Sequence, residues 1–315
     1  MPESAITRRF RRAVSYPLEA IGLFLGLGLF RLLPMDAASN LGGWLGRSIG
    51  PYLPVTRWAR RNLRLAFPHK ADREIAAIVR GMWDNLGRTA GEYPHLGRIT
   101  VPESGRVEVI DLSGPPPVQE QVRPGILVSG HLANWEVLPV VACRLGVDLV
   151  GIARLPNNPL VRPLIDRLRG VAGGARIPKG PEGAKQAIAL LRGGGTLGIL
   201  ADQKMNDGIE ADFFGRPAMT AAGPAQLALA LDCPLVPARI ERLGAARFRM
   251  TFHPPLARPA TGDRQRDVAA LTAALNRLLE EWIGERPQDW LWLHKRWPRG
   301  TYEDLERPGG ARHAG

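Results

Sequence analysis

A histidine followed five positions later by a carboxylate, His131 and Glu136 in Gly130-His-Leu-Ala-Asn-Trp-Glu136, can take a proton from a hydroxyl. Imidazole titrates near neutrality, and a carboxylate bonded to one ring nitrogen leaves the other free to act as a base. Such a base lets a substrate oxygen attack an acyl thioester directly, so no protein nucleophile is needed. Five positions on a continuous helix turn through roughly 140°, so the two side chains cannot share a helical face. They can meet if His131 sits in a loop and Glu136 in the first helical turn, where the amide ends favour an ionised carboxylate. Pro139 strains this arrangement, because a proline beyond the first position removes a helix hydrogen bond. Spacing alone leaves a plainer alternative open, with His131 as a helix cap and Glu136 as a solvated residue.

The surrounding pattern supplies the elements that must position the pair. From Ile126 onward short apolar runs alternate with helical periodicity, which predicts an α/β layer structure, a mixed sheet flanked by helices. Ile126-Leu-Val128 is a buried strand ending just before His131, Asn134 to Leu145 a helix, and Leu149 to Ala153 a second strand. Glu182 to Arg192 forms a helix stopped by Gly193-Gly-Gly195, and Thr196 to Ala201 a strand with Asp202 at its end. Thr220 is placed to cap a helix running to Leu231, followed by strands Leu235 to Ile240 and Arg247 to Phe252. A helix from Arg264 to Ile283 and an aromatic patch, Trp290, Trp292 and Trp297, complete the chain. Upstream, Ile75, Ile78, Val79, Met82, Trp83 and Leu86 make the stripe of an amphipathic helix from Asp72, its expected cap, to Glu92. Arg106 to Leu112 is a short strand, and Gly114-Pro-Pro-Pro117 the best internal boundary. The expected organisation is therefore an N-terminal helical anchoring region over 1–66, a lead-in over 67–117, a catalytic α/β domain over 118–303 and a polar tail over 304–315.

A net charge of +12 demands an anionic partner, and headgroups, phosphorylated glycolipids, acidic carrier proteins and nucleic acid all qualify by charge. No recognisable nucleic-acid module accompanies that charge, so nucleic acid is not an expected partner. The two cysteines, Cys143 and Cys233, lie in apolar runs, which favours a reducing location and two core residues over a disulfide or an acyl-cysteine. No cysteine or histidine spacing suggests a metal site, and no cofactor is expected. At the N-terminus Arg8, Arg9, Arg11 and Arg12 precede an uncharged run from Ala20 to Phe30, short of the ~18 residues that mark a membrane span. The segment also imitates a secretory signal. Apolar character persists past Pro34 through Leu41, Trp44 and Ile49, with Arg57, Arg60, Arg61 and Arg64 following. This favours a retained anchor whose apolar face enters one leaflet while its cations meet an anionic membrane surface.

The chain resembles the late acyltransferases of lipid A biosynthesis, the lauroyl and myristoyl transferases of the lysophospholipid acyltransferase superfamily, over most of its length. The resemblance is carried by Met82-Trp-Asp-Asn-Leu-Gly-Arg88, Gly130 to Glu136, Arg154-Leu-Pro-Asn-Asn-Pro159, Ala201-Asp-Gln203 and Phe213-Phe-Gly-Arg216 followed by Thr220. It implies a glycerolipid-acyltransferase-like fold and acyl transfer from acyl carrier protein to a hydroxyl of a phosphorylated glycolipid, a lipid A precursor. The alternative is a related acyltransferase acting on a phosphatidylinositol mannoside, an ornithine lipid or a lysophospholipid. The implied place is the cytoplasmic face of the inner membrane. On that resemblance His131 is the general base and Glu136 its orienting partner. Arg154, and Arg169 one helix further on, are expected to hold a phosphate or stabilise an oxyanion. Asp202 occupies the family's acidic position, with the expected task of orienting an arginine or a site loop, a plain helix cap being the alternative. Phe213 and Arg216 suit a loop touching acyl chain and headgroup, with core packing of the phenylalanines equally compatible. Ala153, where an aromatic is usual, and Lys204-Met-Asn-Asp-Gly208 depart from the family pattern and leave acceptor contacts open.

Overall fold

β-branched and leucine-rich runs, each bounded by glycine or a polar turn, assemble a sheet buried beneath helices in the computed structural model, which describes residues 11–153, 156–165 and 176–306. The strands are β1 (Val107–Asp111), β2 (Gly125–Ser129), β3 (Leu149–Ala153), β4 (Arg176–Pro178), β5 (Thr196–Leu200), β8 (Leu235–Gly244) and β9 (Arg247–Phe252), in the order β1-β9-β8-β2-β5-β3-β4. Every neighbouring pair is parallel except β8 with β9. All five residues of β2 are buried, as a central strand covered on both faces requires. Ser129 of β2 is the register partner of Leu200 of β5. His131 and Asp202, each two residues further on, therefore leave the same edge of the sheet side by side. That C-terminal edge is where parallel strands present their ligands. A two-stranded hairpin, β6 (Lys204–Phe213) with β7 (Arg216–Thr220), stands apart from the main sheet.

The N-terminal part is helical: α1 (Tyr16–Leu32), α2 (Met35–Ile49), α3 (Thr56–Ala66) and α4 (Asp72–Glu92). Helices α2 and α4 approach closely because glycines face each other. A Cβ on Gly42 would lie 2.2 Å from the Gly87 carbonyl oxygen, and one on Gly87 2.1 Å from that of Gly42. This contact holds α4 over the loop that carries His131. The longer helices further along the described residues are α5 (Val137–Arg144), α6 (Pro181–Arg192), α7 (Gly223–Ala230), α8 (Arg264–Glu285) and α9 (Arg299–Glu306). A continuous apolar core runs from Leu63 and Met82 through Val128 and Val236 to Leu279 and Trp292.

Most elements stand where periodicity put them, and the differences are local. Helix α4 is capped at Ala71, whose N–H donates to Glu74 Oε2 at 2.8 Å, so Asp72 is the first helical residue and not the cap. Thr220 caps nothing: it ends β7, and its hydroxyl donates to the Ala218 carbonyl and accepts from Arg296 at 2.9 Å. The β6–β7 hairpin is additional, since Lys204-Met-Asn-Asp-Gly208 has no clean alternation to announce it. The N-terminal helix is also longer than its uncharged run. Arg12–Leu32 has mean hydropathy 1.6 and is long and apolar enough to cross a membrane by length and composition.

Candidate active site

The loop after β2 places His131 by backbone contacts with the C-terminal aromatic segment. Leu132 bridges to Trp290, the Leu291 N–H donates to the His131 carbonyl at 3.2 Å, and the Ala133 N–H donates to the Asp289 carbonyl at 2.8 Å. Asp202, at the end of β5, is 1% exposed. Its Oδ1 accepts from His131 Nδ1 at 2.8 Å, and its Oδ2 accepts from the His131 backbone N–H at 2.8 Å and from Trp290 Nε1 at 2.6 Å. One carboxylate thus fixes the ring, the loop and the tautomer together: Nδ1 carries the proton, and Nε2 presents its lone pair away from the sheet.

Electrostatics follow from this packing. Burial opposes charge on His131, but the Asp202 carboxylate and its hydrogen bond outweigh that cost and raise the imidazole pKa. Lys179 works against the rise and Glu136 adds to it. Burial likewise opposes charge on Asp202, yet the imidazole and the donors from His131 and Trp290 hold its pKa far below the usual carboxylate range.

At the open side of the ring the Gln203 amide donates to His131 Nε2 at 3.3 Å and to His294 Nε2 at 3.1 Å. Trp135 meets the His131 ring edge to face, with centroids 5.1 Å apart. His294 is held from behind: Asn62 donates to the carbonyls of Trp292 and His294 at 2.7 and 2.5 Å and accepts from the Tyr302 hydroxyl at 2.6 Å. Burial and the neighbouring His131 lower the His294 pKa, which favours the neutral ring that can accept from Gln203.

Beneath the loop lies a second charged cluster. Glu92 is 0% exposed and receives Arg242 through both guanidinium nitrogens, Ser39 Oγ at 2.7 Å, Asn134 Nδ2 at 2.9 Å and the Ala246 N–H at 3.2 Å. Asn85 and Thr89, two turns and one turn back along α4, donate to the Ala133 carbonyl at 3.1 and 3.3 Å. Asn134 and Ala133 belong to the same short loop as His131. The ion pair therefore clamps that loop between α4 and β8.

The predicted residues fare unequally. His131 lies in the loop and Glu136 at the start of α5, as the spacing required. The carboxylate on His131 Nδ1, however, comes from Asp202, while Glu136 acts on the ring through its charge. Asp202 holds the histidine ring through Oδ1 and the site loop, at the His131 backbone N–H, through Oδ2. Phe213 is 0% exposed, packed against Phe214, Trp290 and Trp297 with Arg296 over its ring, which favours the core-packing alternative over a loop open to substrate. Arg216 is half-buried and donates to the Leu65 carbonyl at 3.3 Å. Arg154 and Arg169 lie outside the described residues. Sequence reasoning passed over Gln203, His294 and Trp290 as site residues, although Gln203 stood beside Asp202 in a matched stretch. Extending the two paired strands by two residues each is the one signal that brings Asp202 to His131.

Comparison with known proteins agrees with this geometry. Residues 7–299 match the family described as bacterial lipid A biosynthesis acyltransferase. Relatives include phosphatidylinositol mannoside acyltransferases from Mycobacterium tuberculosis (strain CDC 1551 / Oshkosh), 26% identical over 181 residues, covering 55% of this chain and 54% of that one. Another, from Mycolicibacterium smegmatis (strain ATCC 700084 / mc(2)155), is 24% identical over 298 residues, 88% of this chain and 90% of the relative. The match spans about half the length of the M. tuberculosis relatives. With the family model covering nearly the whole chain, from the N-terminal helix to the start of α9, the chain belongs to the bacterial lipid A biosynthesis acyltransferase family.

Proposed function

We propose that this protein is an O-acyltransferase that moves an acyl chain from a thioester to a lipid hydroxyl at a membrane surface, with His131 Nε2 as the base. The observation that carries this reading is the bond between Asp202 and His131 Nδ1 at 2.8 Å, which leaves Nε2 directed outward at the catalytic edge of a parallel sheet. The acceptor hydroxyl takes the place of Gln203 on Nε2 and gives up its proton as its oxygen attacks the thioester carbonyl. The tetrahedral intermediate then expels the thiol sulfur, which recovers the proton from the imidazolium. The growing imidazolium charge is stabilised by the buried Asp202. The Gln203 amide, displaced from Nε2 and still within reach of His294, supplies an N–H for the oxyanion. Arg154 and Arg169 are proposed to bind phosphate or add to that stabilisation, and Arg216 to contact the headgroup.

The preferred acceptor is a lipid A precursor and the preferred donor acyl carrier protein, whose acidity suits a chain of net charge +12. The proposed location is the cytoplasmic face of the inner membrane. The names of the mycobacterial relatives support a second reading, a phosphatidylinositol mannoside as acceptor, which needs the same base and a different sugar pocket. Purified protein should be offered each acceptor with acyl carrier protein and with coenzyme A thioesters, and the products weighed by mass spectrometry. Product from the lipid A precursor with the carrier, lost on His131→Ala, is expected. Product only from the mannoside would move the acceptor, and equal product from wild type and His131→Ala would remove the mechanism.

A further inference from the structure

We infer that helix α1 lies in the plane of the membrane, embedded in one leaflet alongside the catalytic domain, and does not cross the bilayer. This builds on the membrane-surface reading above and adds the orientation. Both ends of the helix are tied to the catalytic domain. At its start, Asn158 Nδ2 donates to the Tyr16 carbonyl at 2.8 Å and to Glu19 Oε2 at 3.2 Å. At its end, His95 Nε2 donates to the Phe30 carbonyl at 2.8 Å, and Arg31 Nη1 donates to the Pro94 carbonyl at 3.1 Å. Tyr16 and Phe30 are about 21 Å apart along a helix rising 1.5 Å per residue.

A helix crossing the ~30 Å hydrocarbon core leaves a water-facing domain at one end only. Here the domain holds both ends. A crossing would draw the loop around Asn158 and the segment around His95 to depths about 21 Å apart, taking the Glu19 carboxylate and either the exposed Arg98 or the half-buried Arg162 into or across the lipid. Lying flat requires none of this.

The side chains divide accordingly. At about 100° per residue, Leu18, Ile21, Leu25, Leu29 and Leu32 fall within about 80° of one another. They are 64, 55, 69, 54 and 84% exposed. Tyr16, Ala20, Leu23, Leu27 and Phe30 occupy the opposite side, buried or half-buried against the protein. Ala20 is the one buried residue of α1, so the outer stripe is left for acyl chains. The cations agree, because Arg12 and Arg31 stand at the two ends, where a flat helix puts both at headgroup depth. Beside the first turn, Arg12, Tyr16, Asn157, Pro159, Leu160 and Arg162 line a cleft of about 500 Å³, open to anionic headgroups. Asn158 follows β3 at the same sheet edge as His131, so the flat helix sets the catalytic edge at the leaflet surface.

The test uses the full chain with Cys143→Ala and Cys233→Ala, and one spin label at a time at Leu18→Cys, Leu25→Cys or Leu32→Cys. Vesicles of phosphatidylcholine and phosphatidylglycerol supply the surface. Co-flotation with the vesicles is read first, and its absence overturns the membrane-surface reading itself. Label depth is read second, from relaxation by oxygen against a water-soluble nickel chelate. A flat helix gives three depths equal within about one turn, ~5 Å. A crossing helix puts position 25 about 10 Å deeper than positions 18 and 32, and that gradient with flotation intact overturns the inference alone. Leu25→Asp with Leu29→Asp should abolish flotation while sparing turnover on detergent-dispersed substrate. Retained flotation would count against the outer stripe.

Discussion

Asp202 and Glu92 are both carboxylates sealed from water, 1% and 0% exposed, and both act on the loop from Gly130 to Glu136. They differ in what they leave open. Glu92 meets a guanidinium that is itself 8% exposed, and further donors from Ser39, Asn134 and Ala246 occupy its remaining lone pairs. Both oxygens of that carboxylate are committed to donors inside the fold. Asp202 meets an imidazole that is 17% exposed and retains an outward lone pair, covered among the described residues by the Gln203 amide at 3.3 Å. A buried charge that is fully answered builds structure, whereas one answered by a titratable ring with a free side builds a base. The closed cluster also keeps the open one in register, since Asn134 connects Glu92 to the loop of His131.

That contrast predicts separate readouts. The largest effect should come from His131→Ala, with turnover lower by about 10³-fold or more and a stability loss smaller than that of Glu92→Gln, because the backbone N–H of residue 131 and Trp290 still bond Asp202. A comparable loss of stability would make His131 structural. Glu92→Gln should do the reverse, costing about 3 kcal/mol of stability by leaving Arg242 unpaired. Turnover per folded molecule should fall far less, and denaturant melts set beside active-site titration separate the two quantities. Asp202→Asn should lower turnover by about 10²-fold, more than Glu136→Gln. The reverse ranking would return the orienting role to Glu136.

The same substitution has a pH signature with a definite sign. The base works as neutral imidazole, and Asp202 raises its pKa, so wild-type kcat/KM should fall as pH drops through a value above the ordinary imidazole range near ~6.5. Removing the carboxylate charge should move that acidic limb to lower pH, even as the plateau drops. An unmoved limb would mean that another group sets it. The smallest effects are expected at the Gln203 cover. Gln203→Ala should reduce kcat by about tenfold with KM little changed, and His294→Ala by less, because it only holds the amide in place. Equal loss in both would make His294 a participant in its own right.

Much of this was legible in the chain. The alternation of strand and helix follows from the hydrophobic period, which is local, and so β3, β9 and the span of α4 fall where the residues put them. His131 could be singled out because it follows a buried strand at a helix start. Its true partner could not be found by spacing, since Asp202 lies 71 positions away and arrives only when β2 and β5 pair in parallel. Phe213 shows the opposite error, because an aromatic beside a glycine and an arginine suits a surface loop until the C-terminal tryptophans close over it. The hairpin was invisible for want of alternation, and the tying of α1 at both ends because its partners at 94–95 and 158 are distant in sequence.

The sequence by itself determined the α/β class, the histidine proposed as the base, and the apolar N-terminal helix, because each depends on residues within a few turns of one another. Only the tertiary structure decided which carboxylate serves that histidine, which one merely locks the loop, and how the helix lies. Those outcomes depend on strand register and on contacts between distant segments, and no local pattern specifies either.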